Sequence, residues 1–175
     1  MEAIRLSLRK ALPLTLALLI TGCAGYQLGP TGGQIAGERS ILVPPVKNTT
    51  IEPRLSQPVT QALRRQIQQD GTLRLATDSS PSDLILNATI ESYERRPTAF
   101  LRGDVITVQE YELVLTVRVV VTERGNETPV LDRLITGRTG LIVDMDQFSS
   151  ERQAAPLLAD DFARRAVIYI TEGPW

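Results

Sequence analysis

The 175-residue chain carries 19 basic and 20 acidic side chains, a net charge of −1, no histidine and one cysteine. Without imidazole or a second cysteine it can build no internal disulfide, no Cys/His metal site and no histidine-dependent triad. The near-neutral charge also argues against nucleic acid as a partner, and leaves carboxylate-only chemistry such as glycoside hydrolysis as the formal route to an enzyme.

The chain opens with Arg5, Arg9 and Lys10 followed by an apolar run from Ala11 to Ile20. That run is far shorter than the roughly 20 residues of a membrane-spanning helix, so it reads as an export signal. Ile20-Thr21-Gly22-Cys23 has the form of a bacterial lipoprotein cleavage site, with Cys23 acylated and first in the mature chain. The alternatives are a small buried cysteine or a thiol left over behind an ordinary signal peptide. Acylation would tether the protein firmly, because each buried methylene contributes about 0.8 kcal/mol. Ala24 in place of Asp resembles the signal that sorts lipoproteins to the outer membrane, facing the periplasm. Losing Glu2, Arg5, Arg9 and Lys10 takes the net charge from −1 to about −3. The expected organisation is a signal peptide over 1–22, a flexible lipidated linker over 23–37 and a single α+β periplasmic domain over 38–175.

In chain order, Ser40-Ile41-Leu42-Val43 is a short apolar run stopped by Pro44-Pro45, as in a buried first strand. Residues 46–53 read as a polar loop. Leu55, Val59, Ala62, Leu63 and Ile67 then share one helical face, with Ser56 as a candidate N-cap, Pro58 in the first turn and Asp70-Gly71 as the stop. Leu73 and Leu75 begin another strand, which gives a right-handed crossover unit if the two strands are parallel neighbours. Period-two alternation predicts a strand over 82–94 with Leu84, Leu86, Ala88 and Ile90 inward, after which Arg95-Arg96-Pro97 and the loop to Asp104 turn the chain. The longest strand, 105–122, places Tyr111, Leu113, Leu115, Val117, Val119 and Val121 on one face, opposite a mixed face with Val114, Thr116, Arg118 and Val120.

After a turn at Gly125-Asn126, a strand over 131–143 offers Leu131, Ile135, Leu141 and Val143 to the core, with Gly137 and Gly140 as candidate bulges. A last helix follows, capped by Ser149 or Ser150, with Leu158, Phe162, Ala166 and Tyr169 at helical spacing, Pro156 in its first turns and Gly173-Pro174 at its end. These elements predict an α+β, two-layer sandwich: two helices on one face of a mixed four- to five-stranded sheet.

Three stretches resemble the lipopolysaccharide-assembly lipoprotein family, the partner and plug of the outer-membrane lipopolysaccharide translocon. They are Gly22-Cys23-Ala24-Gly25-Tyr26-Gln27-Leu28, the helix from Leu55 to Ile67 between two short strands, and Phe100-Leu101-Arg102-Gly103-Asp104 leading into Glu110-Tyr111-Glu112-Leu113. The resemblance implies a two-helix sandwich seated inside a large β-barrel, without catalysis or cofactor, that helps to insert lipopolysaccharide into the outer leaflet. It further implies lipopolysaccharide binding at Arg102, the position that matches the family's basic loop, with Arg95, Arg96 and Arg152 as neighbours in kind. Guanidinium groups suit lipid A phosphates, although Asp104 and Glu94 dilute the charge and Pro97 stiffens the loop.

Two other readings stay open on the residues alone. One is a lipoprotein scaffold that binds peptidoglycan or a secretion-system component. The other is an enzyme using Asp144 with Asp146, or Asp160 with Asp161; calcium at Asp144 and Asp146 is a further option, although the spacing lacks the further ligands of a loop site.

Overall fold

The computed structural model describes residues 36–77, 81–100, 102–103, 107–143 and 147–172. Its strands are β1 (Ser40–Leu42), β2 (Lys47–Asn48), β3 (Arg74–Leu75), β4 (Leu84–Phe100), β5 (Val108–Glu123) and β6 (Pro129–Ile142). A 3-10 turn, Pro53–Leu55, leads directly into helix α1 (Ser56–Asp70), and helix α2 (Gln147–Thr171) ends the described chain. The sheet runs β3-β1-β4-β5-β6, with β2 lying beside β4 further along from β1. Its β1, β2 and β3 pairings are parallel, and β4-β5-β6 is an antiparallel meander. The class is therefore α+β as expected, with six strands rather than four or five, because the short β2 falls inside the stretch expected to be polar loop.

Strand β1, helix α1 and β3 form the predicted unit, with β1 and β3 parallel neighbours. The carboxylate of Asp83 holds β1, accepting hydrogen bonds from the Ser40 backbone N–H at 2.7 Å and the Ser40 hydroxyl at 2.6 Å. These bonds, the hydroxyl's foremost, keep the Asp83 carboxyl below its ordinary pKa. Helix α1 buries Val59, Ala62, Leu63 and Ile67, and Gly71, left-handed at φ +73°, closes it by donating its N–H to the Ile67 carbonyl. Its start differs from the prediction. The chain enters helically from the 3-10 turn, so Ser56 lies inside the helix and its carbonyl accepts from the Thr60 hydroxyl at 2.7 Å. The same Thr60 oxygen accepts the buried Val46 N–H at 3.0 Å, which fixes the segment before β2.

Leu84, Leu86, Ala88 and Ile90 are all buried, as the alternation requires. The strand does not turn at Arg95-Arg96-Pro97 but continues to Phe100, with Pro97 paired to Tyr111 of β5. Proline is tolerated there because the β2 pairing stops at Ile90, so this length of β4 is a sheet edge where one missing N–H breaks no ladder. Register shifts between Ile90 and Ser92 and on either side of Ala99 absorb the irregularity.

On β6, Ile135 and Leu141 are buried as expected, whereas Leu131 and Val143 are half-buried. Gly137 is not a bulge, since the β5–β6 register shifts between Val121 and Thr122 instead. It is the point where α2 crosses the sheet: a Cβ at Gly137 would lie 2.6 Å from Cβ of Phe162 and 2.9 Å from its Cα. Helix α2 starts at Gln147, so Ser149 and Ser150 fall within its first turn rather than capping it. It buries Leu158, Phe162, Ala166 and Ile170, the last taking the core position expected of Tyr169, whose ring lies outside beneath the Arg133 guanidinium at 4.0 Å. One core joins both helices to the inward face of the sheet. Neither described helix is long and apolar enough to cross a membrane.

Candidate binding site along the β4–β5 hairpin

Past Ile90 the β4–β5 hairpin extends beyond β2, and it carries three of the predicted binding arginines. Arg102 lies in the turn between the strands, exposed, beside Gly103 at φ +87°. Arg95 stands on β4 five residues before its end at Phe100, about 16 Å at the usual rise, and Arg102 lies beyond that end. Arg95 and Arg96 project to opposite faces, as successive strand residues must. Cys23 and the acidic residues Asp104, Asp144 and Asp146 lie outside the described residues.

Arg95 faces the start of α2. Its Nε and Nη2 donate to the two carboxylate oxygens of Glu151, both at 2.7 Å, and Nη2 also reaches Glu52 at 3.4 Å. The Glu151 side chain is 14% exposed. Burial works against its charge, but hydrogen bonds from Arg95 and Gln147 outweigh it and hold the carboxyl below its ordinary pKa. Burial, reinforced by Glu151, pushes the Tyr93 hydroxyl up to about 12. Arg152, one turn inside α2, lines the same cavity as Arg95, so the structure does bring this pair together. The cavity, about 520 Å³, is walled by the 3-10 turn, by Tyr93 and Arg95 of β4, and by the first turns of α2.

Sequence reading did not find Arg54, which lies over the Phe148 ring at 4.2 Å while Arg152 lies over the same ring at 5.1 Å. The Phe148–Arg152 spacing of one helical turn was a usable signal; the Arg54 contact spans the fold and was not.

Arg96 is on the outer face of the sheet, paired with Glu94 at 2.7 Å. On β5 and β6 that face carries two further arginines, each also paired: Arg118 donates to both oxygens of Asp132 at 2.8 Å, and Arg138 lies 3.8 Å from Glu112. Between them stand Val114, 3% exposed, and the half-buried Thr116 and Val120.

The acidic pair of α2 has structural partners. Asp160 pairs with Arg65 of α1, and Asp161 accepts the outward Arg138 N–H of β6 at 2.8 Å and the Arg165 side chain at 3.0 Å. No acidic group among the described residues has the clustering of a metal site.

The lipopolysaccharide-assembly family model, LptE, matches residues 39–170. The chain belongs to the LptE family. No curated protein matches the sequence significantly. Solved structures share the fold at low identity. A Xanthomonas campestris protein is 10% identical with a TM-score of 0.58, covering 83% of this chain and 91% of its own. A Chlamydia trachomatis protein is 11% identical with a TM-score of 0.56, covering 77% and 97%. PelC of Paraburkholderia phytofirmans is 14% identical with a TM-score of 0.54, covering 81% and 94%. The family match spans both helices and the whole sheet, so the hairpin and the cavity beside it lie within the LptE-matched region.

Proposed function

We propose that this LptE-family protein is a non-catalytic outer-membrane lipoprotein, anchored through acylated Cys23 and facing the periplasm. It assembles with and plugs a β-barrel translocon that inserts lipopolysaccharide into the outer leaflet. Arg102 at the hairpin turn and Arg152 beside the cavity contact the lipopolysaccharide; Arg95 and Arg96 would have to leave Glu151 and Glu94 to join them.

The observation that favours a barrel partner is the outer sheet face. Taking a lone charge out of water is costly, whereas a charge already paired in good geometry keeps a partner when the surface is covered. On β4, β5 and β6 the three arginines of this face, Arg96, Arg118 and Arg138, each sit against a carboxylate, with Val114 and Val120 between them. A β-barrel wall can bury this part of the sheet without stranding a cation, with exposed Lys47 of β2 and Arg74 of β3 left at its margin.

The test is co-purification of the tagged, lipidated full chain from detergent extracts, in parallel with Asp132→Arg. The expected result is a stoichiometric outer-membrane barrel with the parent and a marked loss with the variant, which places two unpaired cations on the face. Recovery of the parent alone, or with peptidoglycan fragments, would sink the plug.

A further inference from the structure

The cavity between the 3-10 turn, β4 and the start of α2 holds two acids and three arginines, arranged unequally. Arg95 engages both Glu151 and Glu52. Arg95 offsets one of the two carboxylate charges while engaging both, and with Arg54 and Arg152 the five groups leave the cavity a net charge of +1. Among the described residues, Arg54 and Arg152 have no carboxylate within ion-pair range; each is stacked on Phe148, and Arg152 also lies 3.3 Å from the Ser149 hydroxyl. Stacking leaves the edges of a guanidinium, where its donors point, free for a ligand.

The site also has an apolar side. Phe148 is 49% exposed although two cations cover part of its ring. Leu55, Pro58, Ala155 and Pro156 continue the lining inward. Pro156 has no N–H to return to the Arg152 carbonyl, so the helix presents a ring in place of a hydrogen bond at this wall. The volume falls within the range of small-molecule pockets, about 300 to 1,000 Å³. A cationic rim on an apolar bed is complementary to one kind of molecule: an oxyanion carried on a hydrocarbon chain.

We infer that this cavity is a binding site for an anionic acyl amphiphile, with Arg54 and Arg152 on the phosphate or carboxylate headgroup, Phe148 and Leu55 on the first methylenes, and Arg95 masking Glu52 and Glu151. The inference rests on the lipopolysaccharide contact proposed above and deepens it by adding a subsite at Arg152, apart from Arg102. A phosphorylated, acylated glycolipid and a simple phospholipid both present this chemistry, and competition separates them.

The experiment is calorimetric titration of the full chain, held in phosphatidylcholine nanodiscs, with short-chain phosphatidic acid. Inorganic phosphate and short-chain phosphatidylcholine are the control ligands, and Arg54→Gln/Arg152→Gln, Phe148→Ala and, as an exposed arginine outside the cavity, Arg124→Gln are the variants. Saturable binding of phosphatidic acid is expected, weakened about tenfold or more in the double arginine variant, since hydrogen bonds to charged groups are the strong ones. Phe148→Ala should weaken it as well, Arg124→Gln should leave it unchanged, and neither control ligand should match it. Displacement by solubilised lipopolysaccharide would identify a glycolipid occupant, and its absence a phospholipid; either outcome supports the site. Equal affinity in parent and double variant, no binding by the parent, or phosphate binding as tightly as phosphatidic acid would overturn it. Barrel co-purification of the double variant separates the two ideas, because loss of lipid affinity with the barrel retained leaves the plug standing.

Discussion

Up to Ile90, β4 buries every second side chain beneath the helices, whereas from Ser92 to Phe100 no residue of the same strand is fully buried. Both halves pair with β5 on one side. They differ on the other side and above: the first half has β1 and β2 as neighbours and an apolar core over it, while the second has a free edge and the polar start of α2. Packing holds the first half and charge pairing organises the second. The first is thus a scaffold intolerant of small changes, and the second is where side chains are presented for contact.

The largest effect is expected from Gly137→Ala, where α2 crosses the sheet; Gly137 pairs with Leu115 and through it lies level with Tyr93, just past the boundary between the halves. The new methyl would meet the Cβ and backbone of Phe162, a fully buried residue, so no flexible chain end can yield. Overpacking of this kind costs about 1 to 3 kcal/mol, and urea unfolding should show it as a lower midpoint with an unchanged slope. An unaltered midpoint would mean that α2 slides freely over β6, and that packing under α2 does not extend past Ile90 into the hairpin half.

The packed half was legible in the sequence because period-two alternation in 84–90 and 113–121 and the helical stripe from Leu55 to Ile67 each point to one buried face. Gly137 shows the limit. A glycine inside a strand pattern signals either a bulge or a close approach, and only the position of Phe162, twenty-five residues on, decides between them. The hairpin half was read less well. Arg95-Arg96-Pro97 has the composition of a turn, but an edge strand places no demand on the missing proline N–H, so β4 runs through it. In the candidate site, arginines could be named as phosphate partners from residue type alone, but whether each is engaged could not. Arg95 is tied to Glu151 across fifty-six residues and Arg96 to Glu94 across two, and only the second kind of pairing lies near enough in sequence to suspect.

A smaller effect is expected from the Arg95–Glu151 pair, which joins the hairpin to α2. The Glu151 carboxyl titrates below its ordinary value in the folded protein. Its contribution is therefore fully present above the unfolded value of about 4.3 and is lost as pH falls through the lower, folded one. Glu151→Gln should lower stability at neutral pH by no more than about 1 kcal/mol, since Arg95 is partly exposed. The gap between parent and variant should narrow as pH falls below the unfolded value and close once the folded carboxyl is protonated. A gap that persisted in acid would show that Glu151 acts by packing rather than charge, and the distinction between the halves would weaken.

The least disruptive change is Arg96→Ala, on the outer face of the same hairpin. Its pair with Glu94 links side chains that are 51% and 50% exposed, spans two residues and joins no separate elements. Surface substitutions of this sort fall within about 0.5 kcal/mol, so thermal unfolding should barely move. Barrel co-purification should respond more than stability does, because the variant leaves Glu94 without its partner on a surface proposed to be covered. If stability fell and the barrel stayed bound, Arg96 would belong with the scaffold, and the outer face beyond Ile90 would be structural rather than a contact surface.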